Sequence, residues 1–467
     1  MTENFKIIRG LCLAGVAAFA TMAVAPRAGG QVLLAEGQLT GSKAGSYADL
    51  SGLKGNLENG APANLLGGLG SAITYVNGNT FLALPDRGPN AVEYNDAIDN
   101  TASYINRFHT IQMNLEPNKS GSGLPFTLTP VLQQTTLLHS LLPLAYGKGG
   151  SAAGGVGPGA PPQNNFLVHY FTGRSDNFDP DFNSGFPFDA RFDTEGMRVS
   201  NDGLTVFISD EYGPYVYQFL RATGERLRTF TLPSSFYVKT LSSVGATEIS
   251  ANTTGRVANK GMEGLAITPD GRTLVGIMQN ALIQDATAAP NLLRIVTIDI
   301  ASGQVTHQYG YNLTTGSGVS EITALNEHEF LVDERDGKGL GDGSKAKVKQ
   351  IFKIDLAGAT DISKLDPATA SANAVTKSLF LDIVALLEAN GITADQIPSK
   401  IEGISFGPDI EYQGQKTHTF WIANDNDFVQ DESGPNVFFV VGITDAQLGG
   451  STYVPQIVRN PFPFPFF

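Results

Sequence analysis

The stretch DTEGMRVSNDGLTVFISDEYGPYVYQF, residues 193–219, predicts a β-hairpin with carboxylates at both of its ends. Apolar and polar residues alternate on either side of the turn SNDG, and Asp-Gly is favoured in short hairpin turns because both residues tolerate positive φ. Residues equidistant from the turn face each other in antiparallel strands. Glu195 is therefore predicted to face Asp210, which places both carboxylates at one end of the hairpin.

The same arrangement recurs along the chain, in copies at 262–280, 320–337, 401–427 and, more distantly, 70–89. Each copy has an apolar alternating run, a turn signal, a second apolar run and a closing cluster of acidic or amide residues. Four of the copies continue into further strand-like runs. Internal repeats made of four antiparallel strands are typical of the blades of a β-propeller.

We therefore predict an all-β fold, a β-propeller of four-stranded blades with five to seven blades and six as the best guess. The sixth blade is expected in the long segment between Gly70 and Glu195. The strand at 31–41 is predicted to close the ring against the last blade. Loop insertions are expected, among them the Gly/Pro-rich 145–165, together with one short inserted helix at 376–391.

The N-terminal residues 1–25 have the pattern of a signal peptide, with basic residues followed by a short run of small apolar residues. Residues 31–460 are expected to form the single propeller domain, and 461–467 an aromatic, Pro-broken tail. The one cysteine, Cys12, lies within the signal, so the mature chain has no thiol for disulfides or zinc. We expect a periplasmic or extracellular protein without a membrane span, and a monomer.

The net charge of −14 argues against nucleic acid as a partner, because binding to phosphate backbones requires a basic face. If every repeated Glu begins an innermost strand, the carboxylates converge at one mouth of the central channel. Such a group repels itself unless it is protonated or holds a cation, and oxygen ligands without His or Cys favour Ca²⁺, with Mg²⁺ as the alternative. The predicted metal ligands are Asp86, Asp210, Glu263, Glu321, Asp333, Glu402 and Asp425, with Glu334 as a further acidic residue of the rim.

Basic residues are interspersed among these acids, and they suit an anionic ester as the substrate. We assign Glu195 or Glu211 as the general base, and we expect basic side chains to stabilise the charge of the substrate. These basic residues are Arg87, Lys260 and Arg335.

The segments FDTEGMRVSNDGLTVFISDEYGP, NKGMEGLAITPDGRTL, DRGP and KIEGISF resemble the phytase-like family of bacteria, known for the esterase-like activity of phytase. The resemblance covers roughly residues 60–445. It implies an exported propeller that hydrolyses phosphate esters or diesters, with Asp86, Arg87, Glu195, Asp210, Glu211, Glu263, Glu321 and Glu402 as matching positions. The third copy departs from the pattern because Ile322 replaces the Gly that follows Glu.

Two alternatives stay open. The first is a non-catalytic propeller, stabilised by calcium, that acts as a binding or scaffold protein. The second is a calcium propeller of the lactonase type. Neither is excluded by the fold, since propellers carry many activities.

Overall fold

Five antiparallel sheets with four principal strands each form the computed structural model, which describes residues 30–90, 101–149 and 159–459. Strand β1 (Val32–Leu39) comes first in the chain. Blade 1 follows and contains β2 (Ala72–Asn77), β3 (Thr80–Leu84), β4 (Arg107–Pro117) and β5 (Phe126–Leu137). The two-stranded ribbon of β6 (His139–Ser140) and β7 (His169–Tyr170) lies in the insertion before blade 2.

The next two sheets contain only consecutive strands. Blade 2 contains β8 (Thr194–Val199), β9 (Thr205–Asp210), β10 (Tyr215–Leu220) and β11 (Arg226–Thr231). Blade 3 contains β12 (Met262–Ile267), β13 (Thr273–Met278), β14 (Leu292–Asp299) and β15 (Val305–Asn312).

The last two sheets complete the set. Blade 4 contains β16 (Gly318–Ala324), β17 (Glu329–Arg335), β18 (Lys349–Asp355) and β19 (Lys377–Asp382). Blade 5 contains β20 (Lys400–Phe406), β22 (Gln415–Asp425), β23 (Asn436–Ile443) and β1, with the short β21 (Ile410–Tyr412) paired to β22. The predicted closure by the N-terminal strand is confirmed, because β1 pairs antiparallel with β23.

The innermost strands β2, β8, β12, β16 and β20 contact one another in a closed ring. Buried apolar side chains fill each space between neighbouring blades, as where Trp421 of blade 5 lies 4.6 Å from Phe81 of blade 1 between ring centroids. The Gly of each Glu-Gly pair permits close approach of the inner strands. A Cβ at Gly196 would lie 2.5 Å from the backbone nitrogen of Leu265, and one at Gly264 would lie 2.8 Å from that of Ile322.

The described residues form five blades, the lower limit of the predicted range, and the best guess of six is corrected. The segment between Gly70 and Glu195 forms one blade with long outer strands, and the rest of its described residues form loops and the ribbon.

The helix predicted at 376–391 is only partly correct, since β19 occupies its first half and α3 (Ile383–Ala389) its second. The consecutive apolar residues 379–381 lie in this strand, which pairs with β18 at the outer edge of the blade. The other short helices are α1 (Gly245–Ala251), α2 (Pro367–Ala372) and α4 (Gln430–Ser433), with 3₁₀ turns at Ser234–Phe236 and Asp445–Leu448.

The described residues from Gln31 to Arg459 belong to one compact unit. The predicted signal peptide and the aromatic tail lie outside the described residues. In the described part of the chain, every helix is too short or too polar to cross a membrane.

Candidate functional site at the acidic mouth of the ring

The repeated Glu side chains are positioned by β-bulges at the start of the inner strands. In blades 2, 3 and 5 the pairing of the inner strand shifts at Glu195, Glu263 and Glu402 respectively. A bulge adds a residue to one strand and re-aims its side chain. It also moves the predicted pairing by one residue, so that Thr194 rather than Glu195 faces Asp210.

Three carboxylates from blade 2 form the group that we name the Glu211 cluster: Asp193, Glu195 and Glu211. Each offers a carboxylate oxygen, and these atoms lie within 4.8 Å of one another. All three side chains are buried. Oε1 of Glu211 is buried and accepts no hydrogen bond among the described residues. Asp193, by contrast, accepts hydrogen bonds from the backbone N–H group and the guanidinium of Arg87. Three carboxylates at this spacing fit a hard divalent cation.

A second group, the Lys400 cluster, contains Asp86, Asp425 and Asp427, again with carboxylate oxygens within 4.8 Å of one another. Lys400 reaches into this group. Its ammonium donates to Oδ2 of Asp425 at 3.0 Å and to Oδ1 of Asp427. This cluster therefore already contains a positive charge supplied by the chain itself.

Glu263 and Glu402 extend the acidic mouth, with Arg335 between them. Arg335 forms ion pairs with Glu402 and, at 4.0 Å, with Oε1 of Glu263. Oε1 of Glu263 also accepts a hydrogen bond of 2.8 Å from Gln279, whereas its buried Oε2 receives none among the described residues. The carboxyl group of Glu263 also forms a side-chain hydrogen bond with that of Glu211, so these two acids share a proton.

Burial together with mutual repulsion raises the pKa of most of these acids. Burial and the neighbouring Glu263 raise the pKa of Glu211 to about 8. Burial and Glu402 raise the pKa of Glu263 to about 7, although Arg335 opposes the rise. Burial, with Glu263 and Asp193 nearby, holds the pKa of Glu195 well above its usual range. The pKa of Asp86 is likewise raised by burial and by Asp425. The acids of the mouth interact electrostatically as one group, and their mutual repulsion is relieved by protonation or by a bound cation.

Two of the predicted metal ligands, Asp210 and Glu321, accept hydrogen bonds from backbone N–H groups. Asp210 accepts the backbone N–H groups of Asp193 at 3.1 Å and Tyr212 at 2.9 Å, and so fixes the backbone that carries the Glu211 cluster. Glu321 accepts the N–H groups of Leu265 and its own neighbour Ile322, both at 2.9 Å.

In blade 4 the pairing shifts at Ser320, and Glu321 itself pairs with Asp333. Both residues therefore lie within the regular ladder of the sheet. Asp333 is fully buried, and Arg335 and Lys349 are its nearby cations. Glu334, also placed at the rim from the sequence, binds Lys377 and Tyr311 on the far side of its strand.

The predicted basic residues differ in their surroundings. Arg87 donates to Oδ2 of Asp193 at 3.0 Å and to Oδ1 of Asn259 at 2.6 Å, and its side chain remains 13% exposed. Arg335 lies between Glu263 and Glu402. Lys260 is exposed, with its nearest described polar partner, Oε1 of Gln279, at 3.5 Å.

Below the mouth, Arg198 fills the centre of the ring. Its guanidinium donates to carbonyl oxygens of three other blades, namely Ile73 at 3.2 Å, Ile322 at 2.7 Å and Ile404 at 3.5 Å. Its ion pair with Glu321 measures 3.1 Å. A small cavity of about 40 Å³ lies on the other side, partly covered by the C-terminal segment around Tyr453 and Gln456. This cavity lies towards the ends of the inner strands, whereas the repeated Glu residues lie at their starts.

Reasoning from the sequence missed Asp193, Asp427 and the role of Lys400. Asp193 precedes Glu195 by two residues, and Asp427 follows Asp425 by two. Acids spaced by two next to a predicted ligand were the available signal for both, although neither pair lies within a regular strand, because β8 begins at Thr194 and β22 ends at Asp425.

Comparison with known proteins gives two kinds of similarity. A segment of 176 residues is 31% identical to an uncharacterized secreted protein of Arthroderma benhamiae, covering 31% of this chain and 34% of that relative. The chain thus spans about a third of this curated relative. Among solved structures, the luciferin-regenerating enzyme matches with a TM-score of 0.33 and 10% identity, over 84% of this chain and 96% of that one. The Dos1 propeller matches with a TM-score of 0.28 and 8% identity, over 86% and 72%. Similarities this low carry no argument about function.

The family comparison is much more extensive. The model of the phytase-like family, described as having the esterase-like activity of phytase, matches residues 64–428. This range includes every residue of both clusters, together with Glu263, Arg335 and Glu402. The chain belongs to the phytase-like family.

Proposed function

We propose that this chain is an exported hydrolase of phosphate esters or diesters that depends on a divalent cation and acts at the acidic mouth. The observation that carries the proposal is the Glu211 cluster, three buried carboxylates within 4.8 Å of one another, one of which has an oxygen without a hydrogen-bond donor. The predicted signal and the secreted relative support export. Protein retained in the cytoplasm with residues 1–25 uncleaved would contradict it.

Asp193, Glu195 and Glu211 are the residues that would hold the cation, Ca²⁺ or alternatively Mg²⁺. We prefer this group to the Lys400 cluster because Lys400 forms ion pairs with two of the three carboxylates there. Among the three described carboxylates of the Glu211 cluster, Arg87 pairs with only Asp193, which leaves Glu195 and Glu211 for a cation. A divalent cation in the Glu211 cluster would supply Lewis-acid polarisation of a phosphoryl oxygen and would acidify water. Glu195 and Glu211, first considered as bases, thereby become ligands.

Glu263 is then the candidate for the general base. Its pKa of about 7 is close to neutral pH, where a base is most effective, and its buried Oε2 has no hydrogen-bond donor among the described residues. Gln279 fixes the carboxylate through the other oxygen. Arg335 stabilises the ionised form of Glu263 and is 12% exposed.

Arg87 is the side chain best placed to bind the anionic group of the substrate. Asp193 and Asn259 orient its guanidinium, and Thr101 accepts a hydrogen bond of 2.9 Å from its Nε. Asn259 adopts φ 55°, which is uncommon for a residue other than Gly. Backbone strain of this kind persists where the surrounding structure enforces it, often at functional sites.

The proposal is tested with purified, metal-depleted protein. We expect hydrolysis of 4-nitrophenyl phosphate or bis(4-nitrophenyl) phosphate to require added Ca²⁺ or Mg²⁺ and to fall by about 100-fold or more with excess chelator, because the cation contributes several kcal/mol.

The same assay includes 4-nitrophenyl acetate and a lactone as substrates. Faster cleavage of the lactone would favour the lactonase alternative. Cation binding without hydrolysis of any ester would favour a non-catalytic propeller, and undiminished hydrolysis of phosphate esters in chelator would contradict the proposed cation dependence.

A further inference from the structure

A cavity of about 260 Å³ lies beside the acidic mouth, between the loop before blade 1 and the loop before α4. Its size is just below the range of about 300–1,000 Å³ that is usual for small-molecule sites. The cavity and the mouth share a wall, because Asp427 lines the cavity while its carboxylate belongs to the Lys400 cluster. The cavity therefore lies directly beside the acidic mouth, on the side of the Lys400 cluster.

The shared wall is built on strained backbone. Asp427 and Phe428 are consecutive residues with φ of 52° and 59°. Such a conformation costs about 1–3 kcal/mol for each residue other than Gly. The backbone N–H group of Asp427 donates to the side chain of Asp425, and that of Phe428 donates to the side chain of Asn426. The ring of Phe428 also packs edge-to-face with the ring of Tyr104, with 4.9 Å between the ring centroids. The turn directs Asp427 towards Lys400 and places Phe428 in the cavity wall.

Among the described residues that line the cavity, one side chain is acidic and the others are uncharged. Asn59, Asn90 and Gln430 contribute amide groups, and most of the remaining residues are apolar, among them Pro62, Leu65 and Phe428. Among the described residues of this lining, Asp427 is the one charged side chain and none is Lys or Arg. Asp427 itself forms an ion pair with Lys400. An additional anionic group on the ligand would lose its hydration here, and the nearby cation Lys400 is already paired with Asp425 and Asp427.

From this arrangement we infer that the substrate carries a single anionic phosphate group joined to an uncharged organic group, which occupies the cavity. The amide side chains of the lining can form hydrogen bonds with hydroxyl or amide groups of the uncharged organic group, and the apolar side chains can pack against a ring. A ring bearing several phosphates is disfavoured, since its further phosphates would face Asp427. The inference rests on the proposed function, because that function places the phosphate at the mouth.

The experiment compares phenyl phosphate with 4-carboxyphenyl phosphate, each as the monoester and as the methyl diester, on Ca²⁺-loaded protein. We expect kcat/KM to be about 10-fold or more higher for the uncharged phenyl compounds, equivalent to a difference of about 1.4 kcal/mol. Equal or better use of the carboxyphenyl compounds would overturn the inference.

Two variants of the lining test whether the preference comes from this cavity. Ala61→Phe is expected to fill the cavity, raise KM for the phenyl compounds and bring the ratio towards one. Gln430→Lys adds a cation and is expected to favour the carboxyphenyl compounds. The matched control is Ala160→Phe in the separate cavity beside Leu53, which should leave the ratio unchanged. An unaltered ratio in both lining variants would also overturn the inference.

Equilibrium binding of the same esters separates this inference from the proposed function. If no ester is hydrolysed, the proposed function fails. The binding ratio of phenyl to carboxyphenyl compounds, in the wild type and in Ala61→Phe, then still decides whether the cavity selects an uncharged group.

Discussion

Glu263→Gln is expected to reduce kcat for phosphate esters by roughly 10²- to 10⁴-fold, the usual contribution of a general base. Glutamine keeps the size of the side chain and can still bond to Gln279, but it cannot accept the proton of the attacking water. Binding of Ca²⁺ should persist, since the Glu211 cluster is intact. The measurement is steady-state hydrolysis of whichever phosphate ester the wild type uses best, with Ca²⁺ at saturation.

The matched control for this variant is Glu321→Gln, which changes the corresponding Glu of the next repeat. Glu321 bonds to Arg198 and to backbone N–H groups at the centre of the ring. Its replacement should lower the melting temperature while the folded protein retains kcat. If Glu263→Gln kept turnover within about threefold of the wild type, its assignment as the base would be wrong.

Removal of the cation is expected to make the stability of the protein depend strongly on pH. Burial and neighbouring acids raise the pKa of Glu211 from 4.5 to about 8 and that of Glu263 to about 7. An acid whose pKa is raised by folding binds protons more tightly in the folded state, so the free energy of unfolding falls as pH rises through this window. In chelator, the melting temperature should therefore fall by ~5 °C or more between pH 5 and pH 8.

Added Ca²⁺ should remove most of this pH dependence, because the cation replaces protons as the partner of the ionised carboxylates. Thermal unfolding across pH 5–8, with chelator and with Ca²⁺, measures the effect. The Glu211→Gln variant in chelator is the control, and its dependence on pH should be weaker than that of the wild type. A metal-free wild type that gains stability as pH rises would refute the electrostatic description of the mouth.

The repeat and its turn residues were sufficient to predict the propeller and the gathering of acids at one end. The Asp-Gly turns of blades 2 and 3 fix where those hairpins reverse, and reflection about the turn brings Glu195 within one residue of its observed register. The offset of one residue comes from the β-bulge, which simple pairing rules do not predict. Blade number was harder to predict, since the loops before blade 2 are as long as a blade and resemble one in length alone.

The distinction between functional and structural acids could not be made from the sequence. Glu263 and Glu321 occupy equivalent positions in the repeat, yet a one-residue change in the position of the bulge places Glu321 beside Arg198. The partner of Glu321 is an Arg from another blade, distant in sequence, so only the closed ring reveals the pair. The Lys400 cluster differs in this respect, because Lys400 faces Asp425 across the β20–β22 hairpin, so pairing within the hairpin could have indicated the contact.

Titration of metal-depleted protein with Ca²⁺ by calorimetry tests the central assignment most directly. The wild type is expected to bind one ion per chain. Glu211→Gln should bind at least ~100-fold more weakly, because it loses a charged ligand in a buried group, and Glu321→Gln should bind like the wild type. No binding by the wild type, or equal binding by Glu211→Gln, would contradict a cation site formed by Asp193, Glu195 and Glu211.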